Sequence, residues 1–126
     1  MRAKFERVVP YAGDVLSLPV PSIEQSVPFY RDKFGFHVVS QGDAPFRSAI
    51  LERDGIRIGL AENGGDPEQN GCYFEVDDVE TAFEEIRGRR PAPDDLRSDK
   101  TGGKTKRVFF EVAPDGLCFM FGQPLP

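Results

Sequence analysis

At 126 residues the chain has the length of one compact domain, and on folding it can bury roughly two thirds of the surface it exposes unfolded, so neither disulfide nor metal is needed to hold it together. Its net charge of −5 opposes a partner built on phosphates, and no apolar run approaches the ~20 residues of a spanning helix. The opening Met1-Arg2-Ala3-Lys4-Phe5-Glu6-Arg7 lacks the apolar segment of a secretory signal, so the expectation is a cytoplasmic protein with no nucleic-acid or membrane partner. Two cysteines, Cys72 and Cys118, are too few for a disulfide scaffold and read first as packing residues.

Residues 1–13 are a polar lead containing Val8-Val9, fit either to pair as an edge strand or to reach a partner subunit with Pro10 and Gly13 as hinge. Residues 14–20 read as a strand, with Leu16, Leu18 and Val20 on one side and Val15, Ser17 and Pro19 on the other. Ser22 is an N-cap, Gln25 completes a capping box, and Ile23, Val27, Tyr30 and Phe34 make the apolar face of a helix that Gly35 stops. Pro28 removes one backbone bond inside that helix, which predicts a bend or a loosened first turn. Strands follow at 36–40, 46–52 and 56–62, the last two joined at Arg53-Asp54-Gly55 by an Asp-Gly hairpin turn. Residues 63–70 are dense in turn formers and read as a linker.

The order then repeats. Residues 71–76 alternate as a strand, with Cys72, Phe74 and Val76 toward a helix capped by Asp78 and faced by Val79, Phe83 and Ile86. Residues 88–106 are polar and hold one strand near 95–97 and a loop at 101–104. Strands at 107–112 and 117–121 flank the turn Pro114-Asp115-Gly116. Each half reads strand–helix–strand–strand–strand. Such repeats stack side by side to bury their apolar faces, and the faces opposite the helices enclose a cleft suited to a small molecule. The fold class expected is α+β: one domain over 1–126, with two tandem βαβββ modules at about 14–62 and 71–122 forming curved mixed sheets around that cleft.

Leu18-x-Val20-x-Ser22-Ile23, Phe29-Tyr30-Arg31-Asp32-x-Phe34-Gly35-Phe36, Phe74-Glu75-Val76-Asp77-Asp78-Val79 and Pro114-Asp115-Gly116 together resemble the vicinal oxygen chelate superfamily. It includes glyoxalase, extradiol dioxygenases, fosfomycin-resistance enzymes and the bleomycin-resistance binding proteins. The resemblance covers roughly 14 to 122. It implies that metal-dependent members take ligands from four strand positions, which here are Val15, Gly59, Gly71 and Met120. Valine and glycine carry no donor, and methionine sulfur is too soft for Mg, Mn, Fe or Zn. A Lewis-acid site needs several N or O ligands converging at ~2.0–2.2 Å. No metal and no other cofactor is therefore expected.

Residues sharing the parity of those four positions are candidates to line the cleft: Ser17, Arg57, Tyr73, Glu75, Cys118 and Met120, joined by the single histidine, His37. Tyr73 offers a hydroxyl and a ring face. Arg57 offers a cation for a ligand anion or for Glu75. His37 as a general base needs an orienting partner, and its plainer use is a strand histidine at the rim. Cys118 as a nucleophile needs a neighbouring base or cation. Phe46, Phe109 and Phe110 offer aromatic walls or core packing. The reading favoured is a metal-free binding protein of the glyoxalase/bleomycin-resistance type, not an enzyme, acting as a homodimer on a small-molecule ligand. The alternative is a metal-dependent lyase, isomerase, transferase or oxygenase. The bleomycin-resistance group's Trp before its penultimate strand is absent, since the chain has no Trp.

Overall fold

A computed structural model describes residues 2–11, 13–101 and 104–125. Nine strands form two sheets: β1 (Phe5–Pro10), β2 (Leu18–Pro19), β3 (His37–Gly42), β4 (Ser48–Arg53), β5 (Ile56–Ala61), β6 (Gly71–Val76), β7 (Arg97–Thr101), β8 (Lys104–Val112) and β9 (Cys118–Pro124). The five-stranded sheet runs β1-β6-β9-β8-β7 and the four-stranded sheet β2-β5-β4-β3. β2–β5 and β6–β9 are the parallel pairs. Helices α1 (Ile23–Asp32) and α2 (Val79–Arg87) follow β2 and β6. The α+β class expected from the sequence is the one observed. No helix among the described residues is long and apolar enough to cross a membrane.

Alternation decides what each strand buries. Ala49, Leu51, Ile58, Leu60, Cys72, Phe74, Phe119 and Phe121 all lie on the helix side of their strands and are at most 1% exposed. They share one hydrophobic cluster with Ile23, Tyr30 and Phe34 around α1 and with Val79, Ala82, Phe83 and Ile86 of α2. Rings on and just after α1 reach the larger sheet: Tyr30 and Phe34 lie 5.6 and 5.3 Å from the Phe119 ring, edge to face. Edge-to-face pairs of this kind add about 0.5–1.5 kcal/mol each beyond area burial. Both helices start as the sequence predicts. Ser22 Oγ accepts from Gln25 N, and Asp78 Oδ1 accepts from Glu80 N and Thr81 N. α1 runs through Pro28 to Asp32, and Gly88 ends α2 at φ +75°.

Two boundaries differ from the sequence reading. Val15–Ser17 is a 3-10 turn capped by the Asp14 carboxylate, and only Leu18–Pro19 is strand. The turn reverses the expected sides, since Val15 packs against the core and Leu16 is 46% exposed. An Asp side chain bonding its own backbone two residues on competes with strand, and alternation does not register that competition. The strand placed near 95–97 lies at Arg97–Thr101 instead, with the ladder fixed by β8. Of the 101–104 loop, Gly102 and Gly103 lie outside the described residues. The polar lead takes the first of its two predicted roles: β1 pairs antiparallel with β6, edging the larger sheet.

Two polar joints tie distant segments together. Arg53, 2% exposed, uses all five of its donors. Nη1 reaches Phe34 O at 2.6 Å and Glu85 Oε2 at 2.7 Å; Nη2 reaches Ala3 O at 2.7 Å and Glu85 Oε1 at 3.0 Å; Nε reaches Asp54 Oδ2 at 3.4 Å. The N-terminus is held in the same cluster. Ala3 N donates to Glu85, Lys4 N to Asp77 and Phe5 N to Asp54. The second joint is Asp115, in the Pro-Asp-Gly turn. Its Oδ2 accepts from Ser26 Oγ and Tyr30 Oη, both at 2.9 Å, and its Oδ1 accepts from Leu117 N.

Candidate functional site

Among the described residues both helices share the core face of the five-stranded sheet, and the face away from them carries several half-exposed side chains. Strand registers order its side chains in rows. One row runs Val9, Tyr73, Met120, Phe110 across β1, β6, β9 and β8. The next, toward the start of β6, is Gly71, Cys118, Val112, and Tyr11 extends it by donating its N–H to Gly71 O. The third is Arg7, Glu75, Gly122, Val108. Val9, Tyr11, Phe110 and Val112 are 40, 45, 43 and 63% exposed. Four large apolar side chains on one sheet face make a patch, and patches of this kind mark ligand or partner sites.

At the margin of the patch sit its polar groups. Tyr73 lies in the room left by Gly122, where a Cβ would come within 2.7 Å of the ring. Lys106 Nζ covers the same ring at 4.4 Å from its centroid, leaving Tyr73 only 5% exposed. Tyr73 Oη donates to Glu75 Oε1 at 3.4 Å, and the Arg7 guanidinium approaches that oxygen at 3.7 Å. Burial, then the Glu75 carboxylate, pushes the Tyr73 phenol well above its ordinary range. Burial and the neighbouring Cys118 and Cys72 do the same to Tyr11. The Cys72 thiol, on the core side, is raised by burial alone and is inert for nucleophilic work.

The seven residues singled out from the sequence separate into three places. Tyr73, Glu75, Cys118 and Met120 come together on the outer face of β6 and β9. His37 and Arg57 lie on the four-stranded sheet and converge on Glu52, with Arg57 Nε 2.8 Å and His37 Nε2 3.9 Å from its carboxylate. Arg57 thus pairs with Glu52, and Glu75 has Arg7 instead. Ser17 stands in the 3-10 turn, its Oγ and carbonyl accepting from Asn63 Nδ2. Of the three phenylalanines offered as walls, Phe109 is in the core and Phe110 is on the open face. Sequence reasoning missed Arg7, Val9 and Tyr11, which reach the face through β1, and also Lys106 and Val112. The alternation of Val108, Phe110 and Val112 against Phe109 was the available signal for the β8 members.

The four positions that hold metal in related enzymes do not fit one here. Val15 faces the core, and Met120 sits in the apolar row beside Tyr73 and Phe110. Gly59 and Gly71 lie against main-chain atoms: a Cβ would clash with Leu16 O and with Cys118 O. Among the described residues, no three of His, Cys, Asp and Glu gather as an ion would require. A partly open cavity of about 140 Å³ lies elsewhere, between Pro21, Ser22, Phe29 and Pro114, and both oxygens of the Asp115 that lines it are already engaged.

The fold agrees with comparison to known proteins. Residues 12–121 match the family model of the Glyoxalase/Bleomycin resistance protein/Dioxygenase superfamily, and the chain belongs to that superfamily. Among solved structures it is similar to a virulence protein from Salmonella typhimurium (18% identity, 90% of this chain and 97% of that one, TM-score 0.67). It is also similar to the bleomycin-binding protein of bleomycin-producing Streptomyces verticillus, solved with copper(II)-bleomycin (21% identity, 90% and 96% coverage, TM-score 0.62). A third is TnmS3, an antibiotic-binding protein from Streptomyces sp. CB03234 (19%, 91% and 98%, TM-score 0.60). At these identities the likeness is one of fold. No curated protein sequence matches the chain.

Proposed function

We propose that this chain is a metal-independent binding protein that takes an apolar small molecule on the open face of the β1-β6-β9-β8 strands. The observation that carries this reading is the ordered patch of Val9, Tyr11, Phe110 and Val112. Antibiotic- and bleomycin-binding proteins of the same fold support a binding role over catalysis. Apolar walls with a carboxylate and two cations at the margin are the composition of a ligand site, and the donor-free metal positions remove the superfamily's usual Lewis acid. The chain acts as a homodimer. A second copy closes the patch against water and protects the outer strands β3 and β7, each the end of its sheet.

A thermal-shift screen against hydrophobic, cationic and thiol-conjugated small molecules identifies the ligand, and calorimetry measures its affinity. Phe110→Ala weakens binding by about 10- to 100-fold, the loss expected for about 1.5–3 kcal/mol of aromatic burial. Unchanged affinity in Phe110→Ala and Val112→Ser removes the patch from consideration. Stoichiometric Fe, Mn, Ni or Zn in the purified protein, removable with loss of activity, overturns the metal-independent reading. Sedimentation showing a monomer at micromolar concentration removes the dimer.

A further inference from the structure

The open face has a polarity along its strands. The rows Gly71, Cys118, Val112 and Val9, Tyr73, Met120, Phe110 carry no charged side chain. Charge begins in the next row, with Arg7 and Glu75, and Lys106 follows two residues from Val108 on β8, opposite Pro124. From there Lys106 reaches back over the row in which Gly122 has no side chain, and its Nζ rests 4.4 Å from the centroid of the Tyr73 ring. Burial sets this cation apart. Among the described side chains, Arg53, Lys106 and Arg107 are the lysines and arginines that are partly or wholly buried. Arg53 pairs with Glu85, and Arg107 with Glu80. Lys106 has an aromatic ring and, among the described residues, no carboxylate partner. Glu75 is taken, since its Oε1 already accepts from Tyr73 Oη and meets the Arg7 guanidinium. Asp99, opposite Lys106 on β7, is itself engaged.

A partly desolvated ammonium on a ring is incompletely compensated. The ring offers a modest cation–π attraction, and an anion offers more once water is displaced. We infer that the ligand of the open face is an amphiphilic organic anion, with its apolar body over Val9, Met120 and Phe110 and one carboxylate or sulfonate head drawn to Lys106, and that Lys106 is the residue that selects it. This rests on the binding reading of the open face and adds to it the chemical class of what is bound. Arg7, more than half exposed and 3.7 Å from Glu75, is a second cation toward the same end. The flexible four-carbon stem of Lys106 lets its ammonium swing from the Tyr73 ring to the head group, which uncovers an aromatic face for the ligand's body. A neutral ligand of the same shape gains no such contact, and a cationic one meets repulsion.

Two fluorescent probes that share one aromatic skeleton test this: 8-anilinonaphthalene-1-sulfonate, which carries the anion, and N-phenyl-1-naphthylamine, which lacks it. Wild type binds both. Lys106→Met keeps most of the apolar stem and removes the charge. In fluorescence titration it weakens the sulfonate probe about tenfold, the loss expected for a charge-assisted contact, and leaves the neutral probe within about twofold. Lys106→Arg keeps the charge and retains the sulfonate probe. Phe110→Ala weakens both probes alike, because both lose the same apolar contact. Equal losses for the two probes in Lys106→Met, or no loss for either, overturn selection by Lys106 and leave the open-face reading standing. Both affinities unchanged in Phe110→Ala overturn the open-face reading itself. A wild type that binds neither probe overturns the ligand class and the face together.

Discussion

Arg53 ties the end of β4 to α2, to Phe34 just beyond α1 and to the N-terminal segment. Its guanidinium is anchored to a carboxylate on α2, to the carbonyl that ends the α1 region and to the N-terminal segment, and it stacks 4.2 Å over the Phe5 ring. Arg53→Met leaves Glu85 without its partner in a half-buried setting, and a buried pair broken on one side costs about 3–5 kcal/mol. Urea denaturation of Arg53→Met measures that loss. Because desolvating an ion pair offsets much of its attraction, adding Glu85→Leu returns a large part of the stability. A double variant no better than the single locates the loss in the carbonyl contacts instead. The tyrosines give a second prediction at this scale. Tyr11, Tyr30 and Tyr73 are all raised above the ordinary value near 10, each first by burial and Tyr30 next by Asp115. A group whose folded value is raised contributes stability that is complete below its unfolded pKa and lost as pH climbs above it. The chain holds 3 tyrosines, so absorbance at the tyrosinate band stays flat through pH 10 and rises only as the protein unfolds. A normal titration of one tyrosine near pH 10 in folded protein contradicts this assignment.

At the scale of elements, the Pro-Asp-Gly turn does more than reverse the chain. Asp115 fastens the β8–β9 connection to α1, 85 residues away at Tyr30. Asp115→Ala strands two hydroxyls and one backbone N–H, at about 1–3 kcal/mol for each group left unsatisfied and buried. Asp115→Asn keeps the shape and loses less. Equal losses in the two variants mean that the carboxylate's charge, not its geometry, is what matters. The turn was legible in the sequence, but its partner was not. A turn signal is local, and Ser26 and Tyr30 are brought to it only by the packing of α1 on the larger sheet. Both helices were legible through their caps and 3.6-residue spacing, and so were β4 to β6 through alternation. The segment at 14–17 was not. It carries a strand-like apolar alternation, and its shape is set by one side chain, Asp14, bonding its own backbone. The open face was half legible for a related reason. Parity placed Tyr73, Glu75, Cys118 and Met120 together, yet it says nothing of which strand lies beside which. Val9 and Tyr11 therefore entered the site unannounced, through β1.

At the scale of the whole molecule, the pairing of β1 with β6 and of β6 with β9 makes the larger sheet a set of contacts between sequence-distant segments. Such topologies fold in milliseconds to seconds, slower than helical domains of equal size, because loop closure precedes any reward. Refolding followed by the loss of exposed aromatic surface therefore falls in that range, and a microsecond phase accounting for the full signal contradicts it. The bonds at Ala3 to Phe5 sharpen the point, since Ala3 N meets a carboxylate 82 residues further along. At a synthesis rate of about 5–20 residues per second, the Ala3–Phe5 segment precedes that partner by roughly four to sixteen seconds. Throughout that interval Phe5, Val8 and Val9 have no sheet to join. The N-terminal segment thus joins the core only after β6 and α2 have been made, and β9 completes the same sheet later still. Nascent chains halted before Gly71 keep a protease-sensitive segment at Phe5–Pro10, whereas folded chains that include β6 lose that sensitivity.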